Sequence, residues 1–296
     1  MRVALAAAAL AAIPVLTPVA TVRVGAQSGM LLSAAGSVWT SDFALGGVVR
    51  IDPRTNKIVH RIAFLGRPFG LAYGAGSVWV ADRSAPVLAR IDARTNRVTK
   101  RITIGVQTYG VAFGAGSVWT TSEADGTVRR VSPKTNRVTT TIKVGTQPNG
   151  LVYAFGAVWV TDLAGGRLIR VDVRTNRVTA RIKIASADWV TPSTDALWVS
   201  SEAGTVTRVD PKTLKVVATI RVGANPLGSA WVSGQLRGEL WVPNIDSGTV
   251  SIVDPATSSV RTTLRAGQGP LAIVAAAGDV WISNSDEGTI SRVRAA

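Results

Sequence analysis

Apolar and polar positions along the chain follow a pattern that recurs about every 40 residues. Within one copy, GLAYGAG (70–76) is a short apolar segment closed by a glycine turn, and SVWVAD (77–82) is apolar on both faces. Both read as buried strands. A third strand, VLARID, leads through the turn ARTN into a fourth, which alternates. Val98, Ile102 and Ile104 fall on one side and Arg97, Thr99, Arg101 and Thr103 on the other. One-sided alternation confined to the last strand places that strand at an edge, with three buried strands inside it. No stretch shows a helical period.

Seven tryptophans mark the copies: Trp39, Trp79, Trp119, Trp159, Trp198, Trp241 and Trp281. A four-stranded sheet of this length cannot bury both faces alone, so seven of them stack radially around a channel. The seventh copy ends after its third strand, at SRVRAA. TPVATVRVG (17–25) has the character of a fourth strand, like RVTTTIKVG (137–145), so the N-terminal segment is predicted to complete the last blade and close the ring. The fold class is therefore all-β: a seven-bladed β-propeller over 17–296, preceded by a signal-like or anchor segment, 1–16.

The phrases SVWV followed by an acid, G-T-V-x-R-V-D-P-x-T-N-x-V and V-G-x-x-P-x-G resemble the YVTN-type repeats of YncE-like propellers, and the chain is similar to the virginiamycin B lyase-like family, over about 17–294. The resemblance implies the propeller fold. For function it leaves enzymes, binding modules and sensors open.

What recurs in all copies reads as architecture. The tryptophans pack blade on blade. Asp52, Asp92, Asp172, Asp210 and Asp254 cap their own turns, in which Asn tolerates left-handed backbone. Trp231 aligns with Tyr73, Phe113 and Tyr153 and belongs to the same scaffold. The GAG turns precede strands, so they are not phosphate loops. His60, the single histidine, lies on a perimeter strand.

What varies among copies is where function can reside. The position opening each inner strand holds Gly29, Phe69, Tyr109, Asn149, Trp189, Leu227 and Leu271. Phe69, Tyr109, Asn149 and Trp189, with Arg67 and Asp188 beside them, form either a small-molecule, saccharide or protein site at one channel mouth or a plug for the channel. Blade 5, where SADWVTP replaces the P-x-G pattern, departs furthest and is the expected place of specialisation. After the Trp strands come Asp42, Asp82, Glu123, Asp162, Glu202, Asn244 and Asn284, a polar rim whose simplest role is turn capping.

Charge and composition narrow the picture further. The chain has 33 Lys and Arg against 18 Asp and Glu, a net charge of +15. Lys57, Arg61, Arg97, Arg101, Arg137, Lys143, Arg177, Arg181, Lys183, Lys215, Arg221, Arg261 and Arg265 fall on the fourth strands as a girdle. Basic residues on exposed edges discourage edge-to-edge pairing, and they also allow weak, salt-sensitive contact with nucleic acid or an acidic polymer. No cysteine is present, which excludes disulfides and thiol chemistry. The opening MRVALAAAALAAIPVL implies an extracytoplasmic protein, secreted, periplasmic or membrane-anchored. Val24-Gly25-Ala26 has small residues suited to cleavage, but cutting there would remove the closing strand.

The expected function is that of an exported, monomeric binding or scaffold module without catalytic machinery or cofactor. The alternatives are a Mg-dependent carbon–oxygen lyase, as the virginiamycin B lyase resemblance implies, and a non-specific polyanion-binding propeller. The lyase alternative needs a base, and no histidine follows residue 60. Asp246, Asp286 and Glu287 could hold its cation.

Overall fold

The computed structural model describes residues 13–63, 66–233 and 238–294. Seven four-stranded antiparallel sheets follow one another around a ring. Blades 1 to 6 span 28–63, 68–103, 111–143, 148–183, 187–221 and 230–265. Blade 7 takes three strands from 270–294 and its outermost from Ala20–Arg23, which pairs Val22 with Ile290 and Ala20 with Arg292. The N-terminal strand thus closes the ring. Of the signal-like segment, 1–12 lies outside the described residues. Further along it, the amide of Leu16 and the carbonyl of Pro14 each bond the backbone of Arg265 at 2.8 Å. The N-terminal chain therefore touches the outer edge of blade 6 before it joins blade 7. Among the described residues the helical content is one 3-10 turn, Ser285–Glu287, and no helix is long and apolar enough to cross a membrane.

The Trp strands of blades 1 to 5 are buried along their whole length, those of blades 6 and 7 at all but their first residues, and the indoles reach into the next blade. Trp79 packs with Val118 and Val131 of blade 3, Trp119 with Val158 and Val171 of blade 4, and Trp281 with Val38 and Ile51 of blade 1. Five of the indoles donate to the carbonyl five residues earlier, as Trp79 does to Gly74 at 3.0 Å. That bond satisfies the polar edge of a ring which is otherwise fully desolvated. Between the third and fourth strands the turns are capped as expected: Asp92 Oδ1 accepts from the amides of Arg94 and Thr95 and from the Thr95 hydroxyl. Asn96 adopts φ 59°, the left-handed region that Asn tolerates better than most residues.

An arginine eleven positions after the Trp, ten in blade 5, adds a staple between blades. Arg90 lies over the Trp79 ring at 5.0 Å. It bonds Ser77 of its own blade and reaches the Pro133 carbonyl and Asn136 Oδ1 of blade 3. Arg50 and Arg130 do the same. Arg208 reaches the Pro255 carbonyl of blade 6, and Arg292 ties blade 7 to Pro53 and Asn56 of blade 1. Two seams lack the staple. Arg170 turns to Thr179 of its own blade; the turn of blade 5 that it faces presents Leu214 where those of blades 1 to 4 have Asn. Blade 6 carries Ile252 at the arginine position. Its seam with blade 7 is held instead by backbone bonds between Gly228 and both Leu271 and Ile273, and by the N-terminal chain outside.

Candidate functional site

The inner strands enclose a channel of about 470 Å³ that all seven blades line. At its lower end stand Tyr73, Phe113, Tyr153 and Trp231. The Phe113 and Tyr153 rings lie against Gly74 and Gly114 of the preceding blades, so closely that a Cβ at either glycine would fall 2.0 Å from a ring carbon. These aromatics are fitted to the backbone, in keeping with a scaffold role.

The upper mouth is built from two rings of variable positions. The inner ring lies at or just before the start of the first strands. Phe69, Leu227 and Leu271 are buried there with Met30, and Tyr109 and Trp189 pack against them half-buried. The second ring, four residues after each Trp, holds Phe43, Arg83, Glu123, Leu163, Glu202, Ile245 and Ser285. Only its two glutamates entered the sequence reading. The signal for the rest was available, because this position changes in nearly every copy beside one that is always Asp, Asn or Ser.

The two rings divide the mouth unevenly. Blades 1, 6 and 7 contribute Gly29, Phe43, Leu227, Ile245 and Leu271, a side that is apolar apart from the buried Ser285. Blades 2 to 5 contribute polar and aromatic groups in contact. Phe69 and Tyr109 meet edge to face at 5.6 Å. The Arg83 guanidinium lies 4.1 Å from the Tyr109 ring and 4.8 Å from that of Phe69, and donates to the Tyr109 hydroxyl at 2.6 Å. This fixes the cation on the aromatic wall. Asn149 donates through Nδ2 to Asp188 Oδ1 across the seam between blades 4 and 5. Gln147 donates to Glu123 at 2.7 Å.

Asp188 is 4% exposed. Burial, chiefly, pushes its carboxyl up to about 7; the negative charges of Glu202 and Glu123 add to this, and Arg83 opposes it. The carboxyl thus changes charge near neutrality at the foot of the mouth, beside Trp189.

The remaining predicted site residues fall elsewhere. Asp42, Asp82, Asp162, Asn244 and Asn284 are each no more than 2% exposed and hold loops. Asp82 Oδ1 accepts from the amides of Arg67, Ser84 and Ala85 and from the Ser84 hydroxyl; Asp162 Oδ1 accepts from Thr146, Gln147 and Gly165. Capping is thus the role the structure gives them, while Glu123 and Glu202 remain accessible. The Arg67 side chain is exposed, and the cation on the aromatic wall is Arg83. His60 is exposed on the outer strand of blade 1. Among the described residues, no group of three His, Asp or Glu side chains is placed to hold a metal ion.

No protein-family model matches the sequence, and no curated protein matches it. Solved structures do resemble it. A hydrazine synthase chain from Kuenenia stuttgartiensis superposes with a TM-score of 0.80 at 13% identity, over 92% of this chain and 96% of that one. A catalytically inactive histidine-to-alanine variant of virginiamycin B lyase from Staphylococcus aureus, with quinupristin, gives a TM-score of 0.79 at 15% identity, over 91% and 95%. What these likenesses share with the chain is the fold. The propeller is common to proteins of different function, so its use here has to be argued from the mouth.

Proposed function

We propose that this propeller is an exported binding module that takes a small ligand at the upper mouth, between blades 2 and 5. The observation that carries the reading is the asymmetry of the mouth. A plug needs only apolar side chains, and blades 1, 6 and 7 supply them. Blades 2 to 5 instead hold Arg83, Glu123, Asn149, Asp188 and Glu202 around Tyr109 and Trp189. Keeping a carboxyl buried on one side of the channel costs stability. A ligand with an apolar ring for Trp189 and a donor or positively charged group for the acidic cluster matches this half of the mouth. Export rests on the Ala-rich opening of the sequence.

A lyase activity is not proposed. The base that the virginiamycin B lyase resemblance implies is a histidine, and the single histidine is on the perimeter. The test is a screen of amine-bearing ring compounds and saccharides by tryptophan fluorescence, repeated with Trp189→Ala and Tyr109→Ala. Hits whose affinity falls at least tenfold in both variants support the site. Hits indifferent to both variants place the site elsewhere.

A further inference from the structure

Where the third and fourth strands of each blade end beside the upper loops, one residue of each faces the other across the sheet. The pairs are Gly47 with Ala63, Val87 with Thr103, Thr127 with Lys143, Thr205 with Arg221, Thr249 with Arg265 and Thr289 with Arg23. None joins two cations. Blade 4 pairs Arg167 with Lys183, and like charges directly opposite one another repel. Arg181, two residues before Lys183, lies on the same face, opposite the buried Ile169.

Blade 3 shows how such a corner is otherwise neutralised. There Asp125, in the loop before the third strand, receives the Arg129 guanidinium at 2.5 Å and the Thr127 hydroxyl at 2.7 Å, and Lys143 donates to its backbone carbonyl. The equivalent residue in blade 4 is Gly165. A cavity of about 520 Å³ lies there between the Gly165-Gly166 turn, Arg167, Arg181, Lys183 and Ser186. One carboxylate does border it: Asp162 Oδ2 lies 3.4 Å from Arg167 Nε, with the Asp162 side chain fully buried. Three cations against that single carboxylate leave the corner positive. Arg181 and Lys183 are exposed, and among the described residues neither forms an ion pair with an acidic side chain.

We propose that this corner of blade 4 is an oxyanion site, taking a phosphoryl or sulfuryl group where blade 3 has its own carboxylate. Two donors with fork geometry and one ammonium around a glycine turn suit a tetrahedral dianion. The group can come as the free ion or as an ester on a larger molecule. The site lies on the outer part of the blade and does not depend on the reading of the channel mouth.

The experiment is calorimetric titration of the full chain with inorganic phosphate and with glucose 6-phosphate, at ionic strength held constant with chloride. Two double variants are compared with wild type: Arg181→Gln with Lys183→Gln, and Arg97→Gln with Arg137→Gln, which removes equal charge from blades 2 and 3. Saturable binding that weakens at least tenfold in the blade 4 variant and less than twofold in the control is expected. Tighter binding of the ester identifies a larger molecule as the source, and equal binding identifies the free ion. Equal weakening in both variants would reduce the effect to general attraction by the girdle and overturn the proposal, as would no binding of either probe. As a second readout, Lys183→Gln alone should raise Tm without phosphate, because it relieves repulsion from Arg167. A lower Tm would count against the proposal.

Discussion

Replacing Asp188 by Asn should stabilise this protein at slightly alkaline pH and leave it no more stable in acid. The Asp188 carboxyl is raised from 3.8 to about 7 in the folded chain, mainly by burial. The folded state therefore holds a proton that the unfolded chain has released between pH 4 and pH 7, and stability falls as pH rises through that window. At about 1.4 kcal/mol for each pH unit of displacement, the ionised carboxylate costs roughly 4 kcal/mol above pH 7. Asn has the same shape, and its carbonyl can accept the bond from Asn149. Its amide hydrogens arrive without a partner, at a cost of about 1 to 2 kcal/mol. The variant should thus gain about 2 to 3 kcal/mol at pH 8 and lose no more than about 1 at pH 4.5, where the wild-type carboxyl already costs about 1 kcal/mol. Urea unfolding followed by tryptophan fluorescence at both pH values measures the difference. If the difference between variant and wild type stays within 1 kcal/mol across the two, the carboxyl is ionised throughout and the account of the mouth's electrostatics is wrong.

Three further outcomes follow from the scaffold. Trp119, fully buried between blades 3 and 4, should cost about 3 to 5 kcal/mol when replaced by Ala. The half-buried Trp189 should cost well under half of that; equal losses in thermal melts would make Trp189 a structural plug. Deleting residues 1–26 removes both the pairing of Val22 with Ile290 and the contact at Arg265, so its Tm should fall far below that of a chain lacking only 1–12. Asp82→Ala strips an acceptor from four donors and should cost about 2 to 3 kcal/mol. Asp82→Asn should cost less, since Asn fills this position in blades 6 and 7; equal costs in chemical denaturation would contradict the capping role.

The architecture was legible in the sequence because every copy repeats the same local chemistry. A Trp strand recurs in all seven copies, an alternating edge strand in six and an Asp-capped turn in five, and the missing fourth strand of the last copy pointed to the N-terminal segment. The mouth was legible in part. The ring holding Phe69, Tyr109, Asn149 and Trp189 could be found by its variability. The partner ring holding Phe43 and Arg83 was missed, because the polar position beside it drew attention as a rim and proved to be a set of buried caps. Arg67 and Arg83 flank the same aromatic wall in sequence. Which guanidinium lies on it depends on loop geometry that no periodicity encodes. The arginine staples do leave a trace in the sequence, an Arg eleven positions after five of the tryptophans and ten after Trp198.

A ring held by interlocking arginines opens first where one of them lets go. Arg170 is turned away from blade 5, and among the described residues no chain segment straps that joint from outside as one does between blades 6 and 7. The bonds that cross it at the mouth, Asn149 to Asp188 and the Thr161 hydroxyl to the Asp188 carbonyl, hold the joint and stand beside the proposed ligand at once. Breathing of the ring should therefore concentrate there, with the fastest amide exchange among the inner strands in Ala187–Pro192. A molecule seated across Asn149 and Trp189 acts as a latch on that gap, so occupancy of the mouth and integrity of the ring become one equilibrium.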